Sequence, residues 1–210
     1  RHGKPGNAEL VTPFLPELPG KPDRCSAGAW KSFHDRLLRQ RELGVRMSGT
    51  GSAATHIMST PETTVTRTVV IAAPRETVWK ALSDTGLSKL HLLVDKSDTP
   101  LQEGREMTWY EPENPGAMPR WKGRITVISP PRRIAFMAFM PSIGIEDIPE
   151  NYTLVDIDLK EEEDGRTSVT VEQGDFAEHP HGTRLAKQVG SSWVEALIRL
   201  KERVEREAAA

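Results

Sequence analysis

The sequence predicts an α+β fold: a curved antiparallel sheet wrapped on one long C-terminal helix, with two short helices after the first strand. Three observations lead there. The β-branched run "TVTRTVVIA" (residues 64–72) passes straight into the Pro-started helical pattern "PRETVWKAL", with no phosphate-binding glycine run between them. Short alternating segments joined by turn-rich connections fill residues 105–173. One long stretch with a 3.6-residue apolar period then closes the chain. A sheet with one apolar face must bury it, and only that last helix is long enough to do so.

The elements follow in order. Pro74 suits the first helical position, where its missing N–H costs nothing, and Glu76 in the first turn complements the helix dipole. Val78, Trp79 and Leu82 form the expected buried stripe. Gly86 interrupts the helix, and "LSKLHLL" reads as a second short helix. In "REMTWYE" Met107 and Trp109 share a side. "PENPGAMP" is a turn. In "RWKGRITVIS" Trp121, Gly123, Ile125 and Val127 alternate with Lys122, Arg124 and Thr126. "PPRR" connects tightly into "IAFMAFM" (134–140). In "NYTLVDIDLK" Val155, Ile157 and Leu159 alternate with Leu154, Asp156 and Asp158. The Asp-Gly of "EEEDGR" marks a hairpin, and "TSVTVEQ" follows with Val169 and Val171 inward.

In the closing stretch Leu185, Val189, Trp193, Ala196, Leu197, Leu200 and Val204 make the apolar face. Charges of both signs at spacings of three and four support the outer face. Gly190, Ser191 and Ser192 are poor helix formers in its middle; they either loosen the helix or admit something close to it.

The sequence changes character near Met58. Before it lies a Pro- and Gly-rich stretch without a sustained period, expected to be extended or disordered, apart from a possible short helix over residues 30–43 carrying Trp30, Phe33, Leu37 and Leu38. Residues 58–210 are therefore expected to form the folded domain, with Met58 as its natural start. Residues 1–57 are read as a leader, with a regulatory tail as the rival reading.

A net charge of −2 with a sequence pI near 6.4 gives no global attraction to nucleic acid or an anionic membrane. The longest apolar run, "IAFMAFM", is far below membrane-spanning length, so no membrane insertion is expected. One cysteine, Cys25, excludes a disulfide within the chain, and a reducing, cytoplasmic setting is the default.

Three stretches together resemble the START-like (SRPBCC, helix-grip) superfamily, and within it the proteins similar to the activator of the heat-shock protein 90 ATPase. They are "TVVIAAPRETVWKAL", "WKGRITVISPPRRIAF" and "GSSWVEALIRLKERVE", in that order. The resemblance covers residues 63–207. It departs at "SKLHLLVDK", where Leu90, His91 and Leu92 stand where many relatives carry a Trp, and at the unmatched "MPSIGIEDIPENY". It implies a hydrophobic ligand held in a cavity between sheet and helix, or a chaperone or other protein partner. Enzymes of cyclase or hydratase type also occur on this fold.

The cavity candidates are Met107, Trp109, Trp121, Gly123, Phe136, Tyr152 and Trp193, the same residue types that fill an ordinary core. Gly123, lacking a side chain, is expected to leave open space. Met137 and Met140 add adaptable apolar surface. His91 is a conceivable cavity base with Asp95 or Asp98 to orient it, but a partly exposed His on a short helix is the favoured reading. "HPH" (179–181), with Asp175 and Glu178 nearby, lacks a second ligand pair at metal spacing, and a solvated loop is favoured. Asp156 and Asp158 are expected on a solvated face. Cys25 has no catalytic pattern around it. No Walker loop, dinucleotide fingerprint, serine elbow or paired-cysteine motif appears, so no cofactor is implied.

Overall fold

The computed structural model describes residues 63–209 apart from 84–86, 88, 89, 92, 96–99 and 115, together with Asp35, which is helical. The short helix expected at 30–43 otherwise lies outside the described residues, as do Met58, Cys25, Gly86 and Asp98.

The order is β1 (Val65–Ile71), α1 (Arg75–Ser83), β2 (Val94–Asp95), β3 (Glu106–Tyr110), β4 (Trp121–Ser129), β5 (Arg133–Phe139), β6 (Thr153–Glu161), β7 (Thr167–Gly174) and α2 (Gly182–Ala208). Seven strands form one curved, unclosed sheet in the order β1-β7-β6-β5-β4-β3-β2, every neighbour antiparallel. This is the helix-grip architecture. Of the second short helix, Leu87 and Leu90 are described; both are helical and buried. The two-residue strand β2 was not visible in the sequence, since so short a piece carries no period.

The corner between β1 and α1 is tied down by polar contacts. The Ala72 N–H donates to Glu205 Oε1 at 2.8 Å, and Lys201 Nζ donates to the Val70 carbonyl at 2.9 Å. Thr167 Oγ1 donates to the Ala73 carbonyl at 2.7 Å, and the Arg203 guanidinium donates to the Ala81 carbonyl at the end of α1. Backbone groups that a sharp strand-to-helix junction leaves unpaired thus find partners on α2 and β7. Val78, Ala81 and Leu82 are buried, while Trp79 is half-buried at the core's rim.

The predicted apolar face of α2 is the buried one, from Leu185 to Val204. It packs on the inward residues of β4–β7, including Ile125, Phe136, Val155, Ile157, Val169 and Val171. The weak helix formers in its middle have a spatial reason. A Cβ on Gly190 would come within 2.6 Å of the Arg67 guanidinium, so the glycine admits that side chain from β1. Ser192 faces His91, with its Oγ 3.2 Å from Nδ1.

Two expectations fail on the outer side of the sheet. A β-bulge between Ile125 and Val127 reverses the alternation in β4: Val127 pairs with Ala135 and belongs to the outer cluster, while Ile128 takes the inward place. Asp156 is not solvated. It is 8% exposed and forms a bidentate pair with Arg133 at 2.9 and 2.7 Å, whereas Asp158 is exposed. The physical reason is a second apolar layer on this face: Ala135, Met137, Phe139, Tyr152 and Leu154, with Ile145 of the β5–β6 connection packed against them. That connection folds through two 3-10 turns, Pro141–Ile143 and Pro149–Asn151. Among the described residues no helix is long and apolar enough to cross a membrane.

Candidate functional site

The register of the β3–β4 hairpin sets Trp109 directly opposite Trp121. Both inward parities hold up to the bulge, so the two indoles lie side by side on the concave face. Phe136 on β5 meets Trp109 edge-to-face, with centroids 5.9 Å apart and an interplanar angle of 68°. From α2 come Val189, Ser192 and Trp193. From the stretch after α1 comes His91, which lies 6.2 Å from the Trp109 ring at 26° and 4.6 Å from the Trp193 ring at 77°. Five aromatic rings therefore converge where the helix crosses the sheet.

The space between them is small. A void of about 20 Å³ lies among His91, Trp109, Phe136, Gln173 and Trp193. A mouth of about 130 Å³ opens beside it, walled by His91, Trp121, Val189 and Ser192 and rimmed by Glu111 and Arg120. A third void of about 10 Å³ continues toward Phe176 and His179. Trp121, half-buried, borders all three. The inner void has room for about one water, well short of the ~300–1,000 Å³ of a drug-sized site.

Polar groups line this space in a definite pattern. Trp193 Nε1 donates to Gln173 Oε1 at 2.7 Å, Gln173 Nε2 donates to Thr153 Oγ1 at 3.0 Å, and Thr153 Oγ1 donates to the Ala138 carbonyl at 3.3 Å. Gln173 and Thr153 are 2% and 3% exposed, so each link of the thread satisfies a buried group. Burial pushes the His91 imidazole down to about 4, and the nearby Arg199 charge adds to the shift, so the ring is neutral at pH 7. By contrast the Trp109 Nε1–H is sealed from solvent and has no acceptor among the described residues.

The predicted residues divide between two places. Trp109, Trp121, Phe136 and Trp193 line the inner void. Tyr152 instead borders a groove of about 270 Å³ on the outer face, together with Glu106, Lys122 and Asp147; Met107 and Gly123 also touch this groove, but Met107 is packed in the inner core and a Cβ on Gly123 would point at Met107 and Phe136. Tyr152, immediately before β6, keeps the outward parity of Leu154 and stacks on Phe139 with centroids 5.1 Å apart, its hydroxyl donating to Asp147 Oδ1 at 2.7 Å. Lys122 Nζ reaches the other Asp147 oxygen at 2.5 Å.

The open space expected at Gly123 is absent. A Cβ there would lie 2.8 Å from the Met137 carbonyl oxygen and 3.1 Å from Met107 Cε, so the glycine serves close strand approach. Gly123→Leu is therefore expected to destabilise the domain by about 1–3 kcal/mol or more through overpacking against backbone. Urea unfolding checks this, and an unchanged midpoint would reveal space that the geometry denies.

His91 and Gln173 were the residues the sequence reading undervalued. Gln173 shares the parity of Val169 and Val171, which was signal enough to place it inward. His91 is half-buried, in line with the partly exposed His expected, and its ring is held between two tryptophans. Its suggested partner Asp95 is bonded to Arg105 at 2.8 Å. In "HPH", His179 Nε2 lies 3.1 Å from the Asn151 carbonyl oxygen, and among the described residues no group of three His, Cys, Asp or Glu is placed to hold a metal ion.

Comparison with known proteins adds a family to this geometry. The family model described as "Activator of Hsp90 ATPase homolog 1-like protein" matches residues 72–205. The chain is similar to the X-ray structure of protein MLL2253 from Mesorhizobium loti, at 18% identity and TM-score 0.55, covering 68% of this chain and 97% of that one. It is similar to the solution structure of protein ChR145 from Cytophaga hutchinsonii, at 26% identity and TM-score 0.52, covering 70% and 97%. It is also similar to the crystal structure of DynU16, a protein of the dynemicin biosynthetic locus, at 17% identity and TM-score 0.53, covering 69% of this chain. The match spans 48%, about half, of the length of DynU16. No curated protein sequence matches.

Proposed function

The chain belongs to the Activator of Hsp90 ATPase homolog 1-like family, and on that premise we propose that it is a binding module for a hydrophobic small molecule, held between the sheet and α2. The observation that carries this reading is the convergence of five aromatic rings on adjoining voids that share lining residues, one of them a mouth toward solvent. An apolar lining with a few fixed polar groups is the usual composition of such a site. The polar side chains inside are largely committed to one another, as the Trp193–Gln173–Thr153 thread shows, and do not converge on a point where a bond would be made or broken. This weighs against a cyclase or hydratase. The folded domain is proposed to span residues 58–210.

The small inner void means that a ligand enlarges the site on binding. Trp121 is the side chain placed to yield, because it is half-buried and borders each of the three voids. The second reading is a chaperone-linked interaction surface. It draws on the family description and on the exposed pair Val194 and Ile198, one turn apart on the outer face of α2.

The test uses the full chain and the neutral apolar dye N-phenyl-1-naphthylamine. Saturable binding in the micromolar range is expected, about −8 kcal/mol, with quenching of tryptophan emission. Ser192→Leu, at a half-buried position bordering both the void and the mouth, should weaken the dye about tenfold while leaving the thermal midpoint in place. Undiminished dye binding by this variant would move the site elsewhere, and absence of saturable binding would favour the interaction surface.

A further inference from the structure

The inner void holds one feature that an ordinary aromatic core does not need. Trp109 is 5% exposed, and its indole N–H has no acceptor among the described residues. Leaving a buried donor unpaired is costly, so native structures rarely keep one without a reason. The ring set edge-to-face with it, Phe136, offers a π face, which is a second-order acceptor at best. The other indole of the site is treated differently. Trp193 Nε1 has a dedicated acceptor in Gln173, and that amide is itself held by Thr153. One tryptophan N–H is thus fully provided for, and its neighbour across the void is left bare.

The surroundings restrict what supplies the missing acceptor. The inner void is lined by rings, aliphatic side chains and the neutral amide of Gln173. Arg120 and Glu111 sit out at the rim with their groups 3.8 Å apart and about half exposed, and Arg199, whose charge reaches His91, is engaged by the Leu90 carbonyl and Glu195. An ionised ligand head would lose its hydration on reaching Trp109, and among the described residues no charged side chain lines the inner void to offset that loss. An uncharged oxygen loses far less.

Resting on the reading of this cavity as a ligand site, we infer that it takes an uncharged apolar molecule whose leading atom is an oxygen acceptor, a ketone or aldehyde carbonyl, bound by the Trp109 N–H. The ligand enters from the mouth by displacing the half-buried Trp121 indole, which the β3–β4 register sets directly beside Trp109. The apolar body then lies against Phe136, Val189 and Trp193. Selectivity follows from the unpaired donor: a hydrocarbon of the same shape leaves it unpaired, and a carbonyl satisfies it.

The matched probes acetophenone and ethylbenzene test this on the full chain carrying 15N-labelled indoles. The five tryptophan N–H signals are followed by NMR, with that of Trp109 assigned by its loss in Trp109→Phe. Acetophenone is expected to move the Trp109 N–H downfield, leave the Gln173-bonded Trp193 N–H near its place, and bind about tenfold tighter than ethylbenzene, a difference of about 1.4 kcal/mol. In Trp109→Phe the preference for the ketone should disappear. If both probes bind alike and the Trp109 signal does not move downfield, the acceptor inference falls while the ligand site stands. If neither probe perturbs Trp109, Trp121 or Trp193, the ligand site falls with it. The shift in the unaltered protein decides the matter even if Trp109→Phe proves unstable.

Discussion

Trp193→Ala is expected to lower the stability of the domain by about 3–5 kcal/mol, the cost of emptying a buried aromatic site. Trp193 is 3% exposed and sits between Val189, Ala196 and Leu197 on the inward face of α2. Its removal also strips the donor from Gln173 Oε1, leaving a 2%-exposed carbonyl that costs about 1–3 kcal/mol more if nothing replaces the bond. Trp193→Phe separates the two effects by keeping most of the ring while removing the N–H. Urea unfolding of both variants checks the result. A loss under about 1 kcal/mol for Trp193→Ala would mean that the helix face is wrongly assigned.

Acid should weaken the fold through His91. Its imidazole is held near 4 in the folded protein, against 6.5 ordinarily, first by burial and then by the Arg199 charge. Between those two values the unfolded chain binds a proton that the folded chain does not. Stability therefore declines as pH falls from about 6.5 to about 4, by about 3 kcal/mol in all, and levels off for this group below its folded value. Among the described residues the ring meets Ser192 and Trp193 of α2 and Trp109 of β3, with Arg199 further along α2, and none of these offers the imidazolium a countercharge. Carboxylates contribute their own acid dependence. Asp147 is held below its ordinary value by hydrogen bonds from Lys122 and Tyr152, and it loses that stabilisation at lower pH. The clean measurement is thus the difference between wild type and His91→Leu, whose stability should change less between pH 6.5 and 4. Parallel curves over that range would exclude His91 as the cause.

Much of this architecture was legible because its periods are long and regular. The inward stripe of α2 from Leu185 to Val204 could be read directly, and so could the alternation of Val155, Ile157 and Leu159. The inward placing of Trp109, Trp121 and Trp193 followed from strand parity and helix phase, whereas Phe136 was grouped with them as an aromatic. What failed depended on what lies above a face, which alternation does not record. Asp156 has the outward parity expected of it, yet it is buried there in a bidentate pair with Arg133, on a face that also carries the apolar layer of Ala135, Met137 and Leu154. Tyr152 was grouped with the cavity because it is aromatic, although its parity opposes Thr153 and Val155. His91 could not be placed because a short helix of a few residues has too little period to fix a direction. The size of the void is set by differences of single methyl groups in packing, which no pattern of residue types resolves.

The bulge in β4 also governs how the strand can be re-engineered. Alternating apolar and polar codons, written continuously from Trp121 to Ser129, would put every choice after Thr126 on the wrong side of the sheet. A combinatorial library for this strand therefore needs two phases, one ending at Ile125 and the other beginning at Val127, with Thr126 treated as the joint between them. A single-codon deletion at that joint would remove the extra residue and let Ile125 and Val127 follow one another in strict alternation. Val127 would still face the outer layer beside Ala135 and Ile128 would still face α2, so the whole strand could then be written in one phase.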